Sequence, residues 1–233
     1  MLKQHKTLSL TEFIMFSKPF KAGLPYFTPD KRLGLLIGNF DYSAIRVPGE
    51  GVDNKGKPKQ KGYPDLPKVE QDIKDFSQKL QQYGFEENLD ITQMINTSVA
   101  EVKKICMTFH NRVNENTRFN LKTLIIVYYG GHGMIDDNHS QIVMPDKSMK
   151  IPLYNLEGRL RSLGGLENSY VIGIFDCCRD KYTEDIFSHE VVKQRGGPGT
   201  EKQEVIVEKG RNVFLIFGCP QNKSVPAESK ISS

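Results

Sequence analysis

The chain alternates short apolar runs with amphipathic stretches. RLGLLIGNF, Arg32 to Phe40, is nearly all apolar and closes on Gly-Asn, which predicts a strand buried on both faces. GEGVDNKGKPKQKGYPDLP, Gly49 to Pro67, predicts a mobile, exposed loop. Val69, Ile73, Phe76, Leu80 and Tyr83 then recur at intervals of four and three, which predicts an amphipathic helix stopped at Gly84. Asp72 is misplaced in that helix, because it lies on the apolar stripe. A short strand is expected near Leu89 to Met94. SVAE, Ser98 to Glu101, is a capping box. It opens a second helix with Val99, Val102, Ile105, Phe109 and Val113 inward, and Cys106 on the same face as plain core.

LKTLIIVYYGGHG predicts a strand over Leu121–Tyr129 that breaks into glycines. SQIVMP, Ser140 to Pro145, predicts a short hairpin strand, and LYNLEGRLRSLGG a third helix. YVIGIFD is another buried strand. The polar stretch from about Arg179 to Gly210 predicts a flexible linker, and NVFLIFG, Asn212 to Gly218, a last strand. Strands alternating with helices imply an α/β fold with a mainly parallel central sheet covered on both faces. In such sheets ligands bind beyond the carboxyl ends of the strands. GGHG and DCCRD both follow strands, so both fall on that edge.

Composition narrows the function. Of 233 residues, 38% are hydrophobic and 26% charged, which suffices for a core. The net charge of +4 comes from scattered residues, so a nucleic-acid partner is not expected. The N-terminus has no signal-peptide pattern, and no run approaches the roughly 20 apolar residues of a membrane helix. A cytoplasmic, reducing setting is expected, with no membrane partner. There the four cysteines are free, catalytic or metal-binding more often than bridged. No CxxC spacing occurs and the histidines are dispersed, so no metal or other cofactor is expected. No phosphate-binding glycine loop follows a strand, which sets a nucleotide site aside.

A thiol and an imidazole at neighbouring strand ends are the minimum for nucleophilic acyl transfer. His132 would polarise the thiol or protonate the leaving amine. Backbone N–H groups at Gly133 and at the nucleophilic cysteine could face the oxyanion. Taken singly, each residue has a plainer reading, a core cysteine and a turn histidine. Flanked by glycines and acids at strand ends, the pair is read as functional.

LLIGNFDY, YYGGHG and DCCRD, in this order, resemble the caspase-like cysteine peptidases of family C14: caspases, metacaspases and paracaspases. His132 and Cys178 lie 46 residues apart, close to the caspase spacing of about 50. The resemblance spans roughly residues 32–218. It implies a three-layer sandwich and a cysteine endopeptidase acting on proteins or peptides. It also selects the nucleophile. The family pattern of Asp or Gln, any residue, then Cys maps onto Asp176, Cys177 and Cys178, which makes Cys178 the nucleophile and places Cys177 behind the sheet. A vicinal disulfide between the two would be rare and strained.

In pocket pattern the chain is closest to paracaspases and metacaspases, which cut after Arg or Lys. The resemblance implies that Asp176 and Asp72 form the S1 pocket. Arg46, in FDYSAIRVPGEG, is the counter-signal: it could imitate the arginine with which caspases cut after Asp, and its plainer reading is a solvated surface charge. The resemblance divides the chain into an extension (1–32), a large-subunit-like region (33–184), an intersubunit-like linker (185–210) and the start of a small-subunit region (211–233). It implies that the C-terminal part is truncated, that the last strand is left as an open edge, and that a homodimer forms if the missing elements are present. Lys193, Arg195 and Lys202 would suit self-processing, but their plainer and preferred reading is an ordinary solvated loop. Calcium is used by many metacaspases, but no acid cluster argues for it here. The alternative, from another class, is a catalytically silent caspase-like interaction domain.

Overall fold

The computed structural model describes residues 28–52, 58–136, 139–149, 153–177, 180–181, 206–210 and 212–218. Five parallel strands form the centre: β1 (Lys31–Gly38), β4 (Ile91–Ile95), β5 (Thr123–Gly130), β9 (Ser169–Asp176) and β12 (Val213–Phe217). A sixth, β11 (Ile206–Gly210), pairs antiparallel with β12. The sheet runs β11-β12-β9-β5-β1-β4, so β1 lies one strand in from the β4 edge and the later strands add on either side of it.

Strands β1, β5, β9 and β12 are apolar on both sides because helices cover both sides, whereas β4, at the sheet edge, is only partly buried. On one face lies α1 (Lys68–Gln82), whose Val69, Ile73, Phe76 and Leu80 are buried against Leu36, Ile126, Tyr128 and Ile174. On the other lie α2 (Val99–Arg118) and α3 (Leu156–Gly164), packed on Leu35, Val127, Phe175 and Leu215. Each fully buried leucine here contributes about 2 kcal/mol through apolar surface removed from water. The three-layer α/β sandwich is therefore the architecture of this chain.

Several elements differ from the expectation. The loop after β1 contains a two-stranded ribbon, β2 (Val47–Val52) and β3 (Pro58–Lys61). Its pairing is between backbones, and its composition gave no strand signal. Glu87–Asp90 forms a helical turn before β4, where Asp90 accepts a hydrogen bond from the Glu86 N–H at 3.0 Å. A small sheet carries β6 (Gly133–Asp136), β7 (His139–Val143), β8 (Leu153–Tyr154) and β10 (Asp180–Lys181). The third helix thus starts later than expected, because Asn155 caps it through the Gly158 N–H at 2.6 Å. The expected linker ends in β11, whose Ile206 and Val207 are β-branched. Consequently β12 is not an open edge. Lys193, Arg195 and Lys202 lie outside the described residues.

Candidate active site

Two loops leave adjacent strands at the same level. β5 and β9 pair in register from Thr123↔Ser169 to Gly130↔Asp176. The Gly131 N–H then donates to the Asp176 carbonyl at 3.3 Å. His132 is two residues past Gly130, and Cys178 is two residues past Asp176. Cys178 itself lies outside the described residues.

The backbone at His132 is fixed from both sides by buried tyrosines. Its N–H donates to the Tyr42 hydroxyl at 2.9 Å. Its carbonyl accepts from the Tyr129 hydroxyl at 2.7 Å and from the Val143 N–H at 2.9 Å. Gly131 makes this possible. Its φ is +155°, and a Cβ there would sit 2.5 Å from the Tyr129 hydroxyl and 2.8 Å from that of Tyr42.

The imidazole is fixed as well. Nε2 lies 2.9 Å from the Pro64 carbonyl. A carbonyl can only accept, so Nε2 carries the proton and Nδ1 has the basic lone pair. The rings of Tyr42 and Tyr63 contact the imidazole at centroid distances of 4.7 and 4.8 Å. Burial pushes the His132 pKa down to about 4, against the stabilising contact to Pro64. The ring is therefore neutral at pH 7, the form in which an imidazole can accept a proton.

Gly133 opens β6 opposite Ile142. Because Val143 N–H bonds to His132 O, Gly133 and Ile142 are a non-hydrogen-bonded pair, and the Gly133 N–H turns away from β7.

The sequence matches the family model of the caspase domain, Peptidase_C14, over residues 31–233. This chain belongs to the caspase-domain family. No curated protein matches it. The family is one of cysteine peptidases, whose substrates are proteins.

In this caspase domain, alternation sends the residues around the second loop to opposite faces. Phe175 and Cys177 join the cluster under α2 and α3, and Cys177 is 3% exposed. Asp176 points to the α1 face. There the Tyr128 hydroxyl, stacked beneath by Phe76 at 4.7 Å, reaches Asp176 Oδ2 at 3.4 Å. Asp72, half-buried on α1, acts on the same carboxylate. Burial, and then the charge of Asp72, push the Asp176 pKa up to about 7. The same burial and the two carboxylates push Tyr128 far up as well, so it remains a hydrogen-bond donor.

Arg46 is not a solvated charge. Its side chain is 18% exposed and ion-paired with Asp65, and its Nε donates to the Tyr63 carbonyl at 2.8 Å. Cys106 is core, as expected, 5% exposed, with its thiol pKa raised by burial. The sequence did not single out Tyr42, Tyr63, Pro64, Tyr128 or Tyr129 as site residues. Pro64 contributes a backbone carbonyl, for which no side-chain signal exists. The tyrosines looked like ordinary apolar positions. Among the described residues, no three His, Cys, Asp or Glu are grouped to hold a metal ion, and no helix is long and apolar enough to cross a membrane.

Proposed function

We propose that this chain is a cysteine endopeptidase that uses a His132–Cys178 dyad and cuts after Arg or Lys. What carries the reading is the register Gly130↔Asp176, which starts the histidine loop and the cysteine loop side by side on one sheet edge. In the proposed reaction the Cys178 thiol gives its proton to Nδ1 of His132 and the sulfur attacks the scissile carbonyl. Backbone N–H groups of Gly133 and Cys178 stabilise the oxyanion, a contribution typically of about 3 kcal/mol per donor. Collapse breaks the C–N bond, and the imidazolium protonates the leaving amine. Water, deprotonated by His132, then hydrolyses the thioester and releases the acid and the thiol.

The preference for a basic P1 side chain rests on Asp72 and Asp176, whose mutual electrostatic effect means that a cation between them relieves repulsion.

The test is cleavage of fluorogenic peptides ending in Arg, Lys or Asp, with and without calcium. Wild type is expected to cut after Arg and Lys, Cys178→Ala to be inactive, and Cys177→Ala to retain activity. Asp72→Asn should lower kcat/KM for P1-Arg by about tenfold, the equivalent of one 1.4 kcal/mol contact. Cleavage after Asp would overturn the pocket assignment. A folded wild-type protein that cuts nothing would move the weight to an interaction domain.

A further inference from the structure

The imidazole of His132 is held by a segment that has no regular structure of its own. Tyr63, Pro64 and Asp65 lie between β3 and α1, just after Gly62, whose φ of +127° suits glycine. What fixes this segment is therefore a question about its side contacts, and Arg46 makes two of them. Its Nε donates to the Tyr63 carbonyl at 2.8 Å, and its Nη2 pairs with Asp65 Oδ1. These anchors flank Pro64, whose carbonyl holds Nε2. Asp65 Oδ1 also accepts the Tyr42 N–H at 2.9 Å, and the Tyr42 hydroxyl accepts the N–H of His132. The side-chain restraint from Pro64 and the backbone restraint from Tyr42 thus both pass through the Arg46–Asp65 pair.

We propose that Arg46 is a positioning residue for His132: its guanidinium clamps the residues on either side of Pro64 and so keeps the Pro64 carbonyl on Nε2. The proposal rests on the reading of His132 as the base. A planar fork suits this task, because it reaches a carbonyl and a carboxylate at once, whereas a lysine ammonium is a single point charge. A guanidinium with both groups engaged, and mostly covered, is not presented to a substrate carboxylate. Arg46 therefore does not confer cleavage after Asp.

The test compares the full chain with Arg46→Lys, Arg46→Ala and Asp65→Asn, each checked for folding by thermal melting. Two quantities are read: kcat and KM on P1-Arg and P1-Asp peptides, and the His132 Nε2–H resonance in ¹⁵N-labelled protein. All three variants should lose kcat on the order of 10- to 100-fold, the scale of a small misplacement at a reacting group. KM should stay within about twofold and the P1 ranking unchanged, since ground-state binding is untouched. The Nε2–H signal, protected by Pro64 in wild type, should broaden or vanish.

An Arg46→Lys enzyme with full kcat would overturn the clamp, because charge alone would then suffice. So would a changed P1 ranking, or an undisturbed Nε2–H signal. If Arg46→Ala does not fold, Arg46→Lys and Asp65→Asn decide. If wild type cuts no peptide, the peptidase reading fails, and the resonance by itself decides whether the clamp exists.

Discussion

Asp176 owes its protonation to its surroundings. In the unfolded chain it titrates near 3.8, and in the folded protein near 7. The folded state therefore holds a proton that the unfolded chain releases, and stability is lost as pH rises from about 4 towards 7. Above that range the full penalty of a buried carboxylate beside Asp72 is present. Asp176→Asn should accordingly melt higher than wild type at pH 8, by roughly 2–4 °C, the shift that 1 kcal/mol produces in a domain of this size. The gain should shrink towards zero at pH 4, and an equal gain at both pH values would mean that charge is not its cause. At His132 the opposite holds: burial keeps the ring neutral, and cleavage should not acquire an imidazole limb between pH 6 and 8. The pair Cys177 and Cys178 was readable only through the family pattern. Alternation along β9 then accounts for Cys177, which packs with Phe175 on the face away from Asp72.

Helix α2 was the most legible element. Ser98 Oγ accepts from the Glu101 N–H at 3.3 Å, and the Glu101 carboxylate accepts from the Ser98 N–H at 2.8 Å. The Ser98 N–H and the Ser98 and Thr97 hydroxyls, all donating to that carboxylate, hold the Glu101 pKa below its ordinary value. Their contribution is thus present at neutral pH and lost as pH falls through the carboxylate range. Ser98→Ala should cost about 1 kcal/mol at pH 7 by chemical denaturation, and less at pH 3. A cost that does not vary with pH would mean that the reciprocal box is not what Ser98 contributes. Helix α1 was legible too, and its one anomaly, Asp72, is the residue that faces Asp176. The β2–β3 ribbon and the turn at Glu87–Asp90 were not, because they depend on backbone pairing and on local bonds such as Asp90 to Glu86.

Over the whole molecule, the antiparallel strand β11 closes the flank of β12. Replacing Ile206–Gly210 with a Gly/Ser segment should expose the β12 edge, and exposed edges pair. Sedimentation velocity should then show concentration-dependent association beyond that of wild type. A variant that sediments like wild type, with unchanged stability, would mean that β11 does not protect the sheet.

By itself the sequence determined the alternation of strands and helices, the burial of the central strands, the capping box, and the two candidate loops that follow β5 and β9. These follow from local periodicity and from short motifs, which a single chain displays directly. Only the tertiary structure decided that Asp176 and Asp72 share one face, that Arg46 is braced by Asp65, and that a proline carbonyl and two tyrosine hydroxyls hold His132. Apart from the Tyr129 hydroxyl, three residues before His132, those contacts join residues 19 to 104 positions apart, from Arg46–Asp65 to Asp72–Asp176. Their partners are chosen by the packing of strand ends, which no local pattern encodes.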